Sequence, residues 1–153
     1  MGVVEFDLQR TVRAPIDDVF ARLADIDGYN EWMPDKGSLL RRTQQTSPGP
    51  PARGTTFLDE TTTGPTPGRI EEFAPPRRIV FHWWDKSGSG RVRLEGWPGY
   101  TLEPHDDGTT LVRHHARMHT YGMYRPATPF LRRLAMRERS VTLAALAASF
   151  EGG

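Results

Sequence analysis

Val4, Phe6 and Leu8 alternate with Glu5, Asp7 and Gln9, and Val12 keeps their parity. A period of two with one apolar face predicts a half-buried strand. Ala14 and Pro15 end it. Pro15 suits the first turn of a helix, and Asp17 and Asp18 suit that helix's positive end. Val19, Phe20 and Leu23 give the helix a short apolar face. Asp25 is placed to cap a second short helix, which Pro34 stops. The period of two then returns. It predicts strands over 39–46, 54–63, 69–73, 78–84, 91–103 and 109–120, the fifth interrupted by Gly96, Pro98 and Gly99. The stretches SPGPPARG, GPTPG, APPR, SGSG and PHDDG separate them as loops and turns. After the loop YGMYRPATP, Thr128 as cap and Pro129 at the first position open a helix that runs to about Phe150.

The order is therefore strand, two short helices, six strands, long helix. Consecutive strands joined by short turns make an antiparallel meander. One amphipathic helix must cover its inner face. The fold class is α+β, and 153 residues without an internal repeat or a dividing linker fit one domain over 1–153.

Composition narrows the chemistry. With no cysteine, the chain has no disulfide, thiolate metal site, thiol nucleophile or iron–sulfur cluster. Together with an N-terminus that runs straight into a strand, this points to a cytoplasmic protein without a signal segment. No apolar run approaches the roughly 20 residues of a membrane span. A formal net charge of +1 gives no bulk attraction to nucleic acid. The charge is uneven all the same: seven arginines and one acid, Glu138, lie between Arg113 and Arg139. Arg132, Arg133, Arg137 and Arg139 read as the wet side of the last helix. Their face either serves solubility or attracts an anionic or protein partner. The apolar side of that helix reads as Phe130, Leu131, Leu134, Val141, Ala145 and Ala148.

Several reactive-site patterns are absent. His115 and His119 are four residues apart on a strand, roughly 13 Å at about 3.3 Å per residue, too far to share a metal ion. No metal and no cofactor is expected. No Lys-Ser/Thr follows the SGSG turn, and no Gly-x-Ser-x-Gly elbow occurs.

The stretches that remain are distinctive in their order: the opening from Val4 through AP and DDVF to Phe20, then DIDGYNEWMP, EEFAPPRRIVFHW, LEPHDDGTTLVRH and the final helix. In this order and spacing the chain resembles the START-like, or SRPBCC, superfamily. That group includes the birch-pollen-allergen-like proteins and the polyketide cyclase/dehydratase group. The resemblance implies a helix-grip fold: a seven-stranded antiparallel sheet curved around the C-terminal helix, with an apolar cavity between them. It also implies that Trp32 and Pro34 lie near one cavity end, where Trp32 either packs at the rim or plugs the core.

Alternation assigns the faces. Arg113, His115, Arg117 and His119 share the outer face of their strand, so His114 and Met118 point inward. Leu94 and Tyr100 share the inner parity if the WPG interruption adds no bulge, and Phe81 and Trp83 do so in the strand before. In TTFLDETTT one carboxylate must face inward: Asp59 if Phe57 does, Glu60 if Leu58 does. A buried carboxylate needs a partner or a proton. His114 and Tyr100 are the candidates. His114 then reads either as a satisfied core residue or as one half of an acid–base pair with Asp59 or Glu60.

From the resemblance follow three expectations about function. The first is binding of a small hydrophobic or aromatic molecule, lipid or polyketide-like, lined by Phe57, Phe81, Trp83, Leu94, Tyr100, Met118 and Leu134, with Trp32 and Tyr124 near the rim. The second is an enzyme of the cyclase/dehydratase type using His114 with Asp59 or Glu60. The third is a protein-interaction module that uses the Arg-rich face.

Overall fold

The computed structural model describes residues 1–151. Seven strands form one antiparallel sheet in the order β1-β7-β6-β5-β4-β3-β2. They are β1 (Gly2–Val12), β2 (Leu40–Gln45), β3 (Thr56–Thr61), β4 (Gly64–Ala74), β5 (Arg78–Lys86), β6 (Val92–Pro104) and β7 (Thr110–Thr120). Two short helices, α1 (Ile16–Ala24) and α2 (Tyr29–Trp32), connect β1 to β2, and α3 (Thr128–Ala148) closes the chain. This is the helix-grip arrangement expected from the order of elements.

Two proline-rich stretches depart from the sequence expectation. GPTPG does not turn the chain; Thr62 and Thr63 do, and β4 starts at Gly64. Pro65 and Pro67 are tolerated because this end of β4 pairs only with β3, its pairing with β5 beginning at Gly68. A residue without an N–H needs such a one-sided position. WPG likewise leaves β6 continuous, and its register with β7 runs unbroken from Leu94 opposite Thr120 to Pro104 opposite Thr110. Gly96 has a packing role: a Cβ there would stand 2.6 Å from the Trp83 indole. Gly68 is tighter still, since a Cβ would lie 2.4 Å from the Phe57 ring and 2.6 Å from the His82 carbonyl oxygen. Backbone cannot give way as a side chain can. Gly68→Ala is therefore expected to cost about 2 kcal/mol by overpacking, read as a lower midpoint in urea unfolding with an unchanged slope.

The core lies between the inner face of the sheet and the helices. Val19, Phe20 and Leu23 of α1 pack with Ile70, Ile79, Leu102 and Val112 of the sheet and with Leu143, Leu146 and Ala147 of α3. A second cluster of Val4, Phe6, Ala116 and Met118 meets Leu131, Ala135 and Met136 nearer the start of α3. The apolar stripe of α3 is thus rotated from the one read in the sequence. Thr142, Leu143, Leu146 and Ala147 are buried, Ala148 is exposed, and Phe130 is 67% exposed. Nor does Thr128 cap the helix. Ala127 occupies that position, and the Thr128 hydroxyl donates to the Arg125 carbonyl and meets the Thr120 hydroxyl at 2.7 Å.

The outer face of the sheet carries a separate aromatic array. His82 stacks on Trp97 with ring centres 4.6 Å apart, and Trp97 meets His119 edge-on at 4.8 Å. Glu95 ties the array together, 2.8 Å from His82 and accepting from the Tyr121 hydroxyl at 2.6 Å. That bond and burial push the Tyr121 hydroxyl up to about 12. His115 sits on the same face between Asp7 at 2.8 Å and Glu5 at 3.1 Å.

Candidate functional site

A cavity of about 460 Å³ lies between the sheet and α3. Its walls are mainly apolar: Phe6, Phe57, Phe81, Trp83, Leu94, Tyr100 and Met118 from the strands, and Leu131, Leu134 and Ala135 from α3. Tyr124, in the short helical turn Gly122–Tyr124, and the exposed Phe130 stand at one edge. The period-two assignment placed these strand residues, because β6 adds no bulge on its β7 side and β5 keeps Ile79, Phe81 and Trp83 on one parity.

The carboxylate question resolves in favour of Asp59. Phe57, Asp59 and Thr61 line the cavity, whereas Glu60 is exposed on the other face of β3. Asp59 stands opposite Thr43 across the β2–β3 pair, and the Thr43 side chain favours its charged form. Burial pushes its carboxyl up to about 6, against the opposing effects of Thr43 and of the Arg139 charge.

His114 does not pair with Asp59. It is fully buried, its Nδ1–H donates to the Gly99 carbonyl at 2.8 Å, and its ring stacks on Tyr100 at 4.1 Å with planes 8° apart. That stack lays His114 behind Tyr100, which itself forms the wall. Desolvation, helped by the Arg139 charge, lowers the imidazole to about 3, so it is neutral at physiological pH. Of the two readings that the sequence left open, the structure therefore agrees with the core residue and not with the acid–base pair. Inward parity brought His114 to the right face, but the large Tyr100 ring beside it covers it.

IDGYNEW turns out to position Tyr29. Asn30 clamps α2 to β2 reciprocally: its Nδ2–H donates to the Thr43 carbonyl at 2.7 Å, and the Thr43 N–H donates to Oδ1 at 2.8 Å. The Tyr29 hydroxyl donates to the Leu23 carbonyl at 2.7 Å, and burial raises it well above its ordinary range. Tyr29 and Met33 line the cavity. Trp32 does not. Its ring packs on Tyr29 at 4.5 Å and against the core cluster, so it backs the wall rather than forming the rim.

Arg139 is the other departure. It was read as part of the wet side of α3, yet it lines the cavity together with Glu138 and Thr142. The rotated helix stripe is the reason: Arg139 precedes Leu143 by one turn and Leu146 by two. Its Nη2–H donates to the Thr142 hydroxyl at 3.2 Å. Its charge holds down the Asp59 carboxyl and the Tyr29 and Tyr100 hydroxyls and disfavours a proton on His114. Glu138 accepts from the Ser38 hydroxyl at 2.5 Å and the Leu39 N–H at 3.0 Å, fastening α3 to the start of β2. Arg132 lies along β1, donating to the Glu5 carbonyl at 3.0 Å.

Chemically, the site is a mainly apolar chamber with a polar end made of Asp59, Thr43, Tyr29, Arg139 and Thr142, besides the Asp85–Arg93 pair elsewhere on its lining. The aromatic walls can take a flat or chain-like molecule, and the polar end can orient it and exchange a proton with it. Among the described residues no group of three His, Asp or Glu side chains is gathered in metal-binding geometry. No helix is long and apolar enough to cross a membrane.

Comparison with known proteins agrees with this geometry. The model of a family described as polyketide cyclase / dehydrase and lipid transport matches residues 3–151. No curated protein matches the chain. Among solved structures, the Zhui aromatase/cyclase from Streptomyces sp. R1128 superposes with a TM-score of 0.78 at 16% identity, over 97% of this chain and 94% of that one. A START superfamily protein from Mycobacterium smegmatis gives 0.72 at 12% identity, over 96% and 97%. The di-domain ARO/CYC StfQ from the steffimycin biosynthetic pathway gives 0.75 at 19% identity, with 97% of this chain covering 51% of StfQ. The chain thus spans about half the length of StfQ. At these identities the likeness is one of fold.

Proposed function

The chain belongs to the polyketide cyclase / dehydrase and lipid transport family, and from that premise we propose that it binds a small hydrophobic or aromatic molecule between its sheet and α3. The observation that carries this reading is the mainly apolar cavity with a polar cluster around Asp59. Its volume of about 460 Å³ falls in the range of roughly 300–1,000 Å³ typical of small-molecule sites. Phe57, Phe81, Trp83, Leu94, Tyr100, Met118 and Leu134 supply the apolar contact, and Asp59 and its neighbours orient the polar part. A thermal-shift series over long-chain aliphatic and fused-ring aromatic molecules tests it. A ligand present at about 100 times its Kd stabilises a protein by about 2.7 kcal/mol, a shift of several degrees. A flat series across both classes contradicts the reading.

A second reading is catalysis of the cyclase/dehydratase type, and Asp59 is what favours it. A carboxyl held near 6 in an apolar chamber is matched to proton transfer near neutral pH. In this reading Asp59 alone moves the proton, Arg139 orients the carbonyl oxygens, and His114 only supports Tyr100. Asp59→Asn is then expected to abolish closure of a linear polyketone while leaving its binding within a few fold. Unchanged turnover in that variant rules out the role.

The same substitution has a stability signature that holds under either reading. The Asp59 carboxyl rises from 3.8 to about 6 on folding. The stability it contributes is complete below its unfolded value and is lost as pH rises through about 6. At neutral pH the wild type carries a penalty on the order of 2 kcal/mol, discounted for partial solvent access. Asp59→Asn is expected to be the more stable protein at about pH 7.5, with the difference fading towards about pH 4. Chemical denaturation at both pH values measures it.

A further inference from the structure

Arg139 is a cation in a mainly apolar chamber without an ion-pair partner. Among the described residues it makes no ion pair, although five Arg–carboxylate pairs form elsewhere in the protein. Two other arginines border the cavity: Arg93 of β6 is paired with Asp85 at 2.9 Å, and Arg117 of β7 is exposed. The guanidinium of Arg139 carries five N–H donors in a planar fork, and the one side-chain bond it makes is the long one to Thr142. Asp59 feels its charge but lies beyond ion-pair distance. The α3 register holds the group in place: Leu143 and Leu146 are buried on the same side, and the preceding residue, Glu138, is pinned to Ser38 and Leu39 just before β2.

Holding a half-buried charge in such surroundings is costly unless a partner compensates it. Asp59 offsets part of it from a distance, but no side chain of the described residues does so in direct contact, which leaves that contact to the cavity's occupant. A planar fork of donors fits the two oxygens of a carboxylate in parallel. A single guanidinium also balances a single negative charge. A phosphate, at nearly two charges, would leave a larger negative excess facing Asp59 than a carboxylate does. When protonated, Asp59 adds a donor to the same end, and the Thr43 and Tyr29 oxygens lie beside it.

Given that the cavity is a ligand site, we infer that Arg139 selects its ligand: a hydrophobic or aromatic molecule bearing one carboxylate, seated with that group on the guanidinium and its apolar body among Phe81, Trp83 and Leu134. This goes beyond apolar complementarity, which would accept an alcohol or a hydrocarbon of the same shape as readily as the acid.

The test compares matched probes by calorimetric titration: dodecanoate against dodecanol, and naphthoate against naphthalenemethanol. The wild type is expected to favour each acid over its alcohol by about 10-fold or more, as one charge-assisted bidentate contact warrants. Arg139→Gln is expected to erase that preference by weakening the acid alone, with alcohol affinity kept within about 2-fold. Retained alcohol binding shows that the variant is folded with its chamber intact. Arg139→Lys, which keeps the charge but not the fork, is expected to restore part of the preference. Equal binding of acid and alcohol by the wild type, or an equal loss of both in Arg139→Gln, overturns the role of Arg139 and leaves the cavity reading standing. If neither probe of either pair binds the wild type, the cavity reading itself fails, and the inference with it.

Discussion

Ala135→Trp is expected to remove ligand binding while leaving the protein folded. Ala135 sits on the cavity side of α3, one turn beyond Leu131 and one turn before Arg139. An indole at this point projects into the chamber opposite Trp83 and Met118. The apolar body of a ligand gains about 0.8 kcal/mol for each methylene it buries. Displacing the contact of about four methylenes therefore weakens binding by about 3 kcal/mol, or roughly 100-fold. The fold is spared because the new ring occupies cavity space and buries its own apolar surface there. Calorimetric titration, with thermal unfolding as the control, reads both effects. Unaltered affinity in a folded Ala135→Trp variant would place the ligand somewhere else on the molecule.

The second large effect concerns acid. Folding lowers the His114 imidazole from 6.5 to about 3. The native state refuses a proton that the unfolded chain accepts. The associated stability is complete above 6.5 and is lost as pH falls towards about 3, by up to about 4 kcal/mol. Asp59 has the opposite sign, gaining stability as pH falls from about 6. The two partly cancel over the middle of that window, and His114 dominates its lower end. Wild-type stability is therefore expected to be nearly level between about pH 6 and pH 4.5 and to fall steeply below. Asp59→Asn should uncover the full acid slope. His114→Asn retains a donor for the Gly99 carbonyl but loses the stack on Tyr100. It should start about 2 kcal/mol less stable and be flatter in acid than the wild type. Urea denaturation across this range tests the signs. A His114→Asn variant as acid-sensitive as the wild type would contradict the burial account.

These signs could not have been read from the sequence, although the faces could. Alternation of residue type along β5, β6 and β7 put Phe81, Trp83, Leu94, Tyr100 and Met118 on the cavity side, because a strand has only two faces and one of them is full of charge. The same argument left Asp59 and Glu60 as alternatives, since TTFLDETTT carries similar residues on both parities. The β2–β3 register, with Thr43 opposite Asp59 and Gln45 opposite Phe57, decides between them. His114 was placed on the right face with two readings open, and the structure agrees with the buried core residue rather than the acid–base pair. Alternation fixes a direction, but not which neighbouring ring covers the side chain. Arg139 was missed for a related reason. A charged residue on a helix reads as solvent-facing, yet the periodicity of Leu143, Leu146 and Ala147 one and two turns later already put it inside. The role of Trp32 depended on Asn30 and Thr43, thirteen residues apart in the chain, and no local pattern signals that clamp.

The central claim is that the space between sheet and α3 holds a discrete hydrophobic ligand. Native mass spectrometry tests it most directly, on wild type and Ala135→Trp purified gently and in parallel from the source organism. The account predicts a single added mass on the wild type, matching a monocarboxylic acid when the released molecule is fragmented, and none on the variant. The same adduct on both proteins, or no adduct on the wild type together with a flat thermal-shift series, would contradict it.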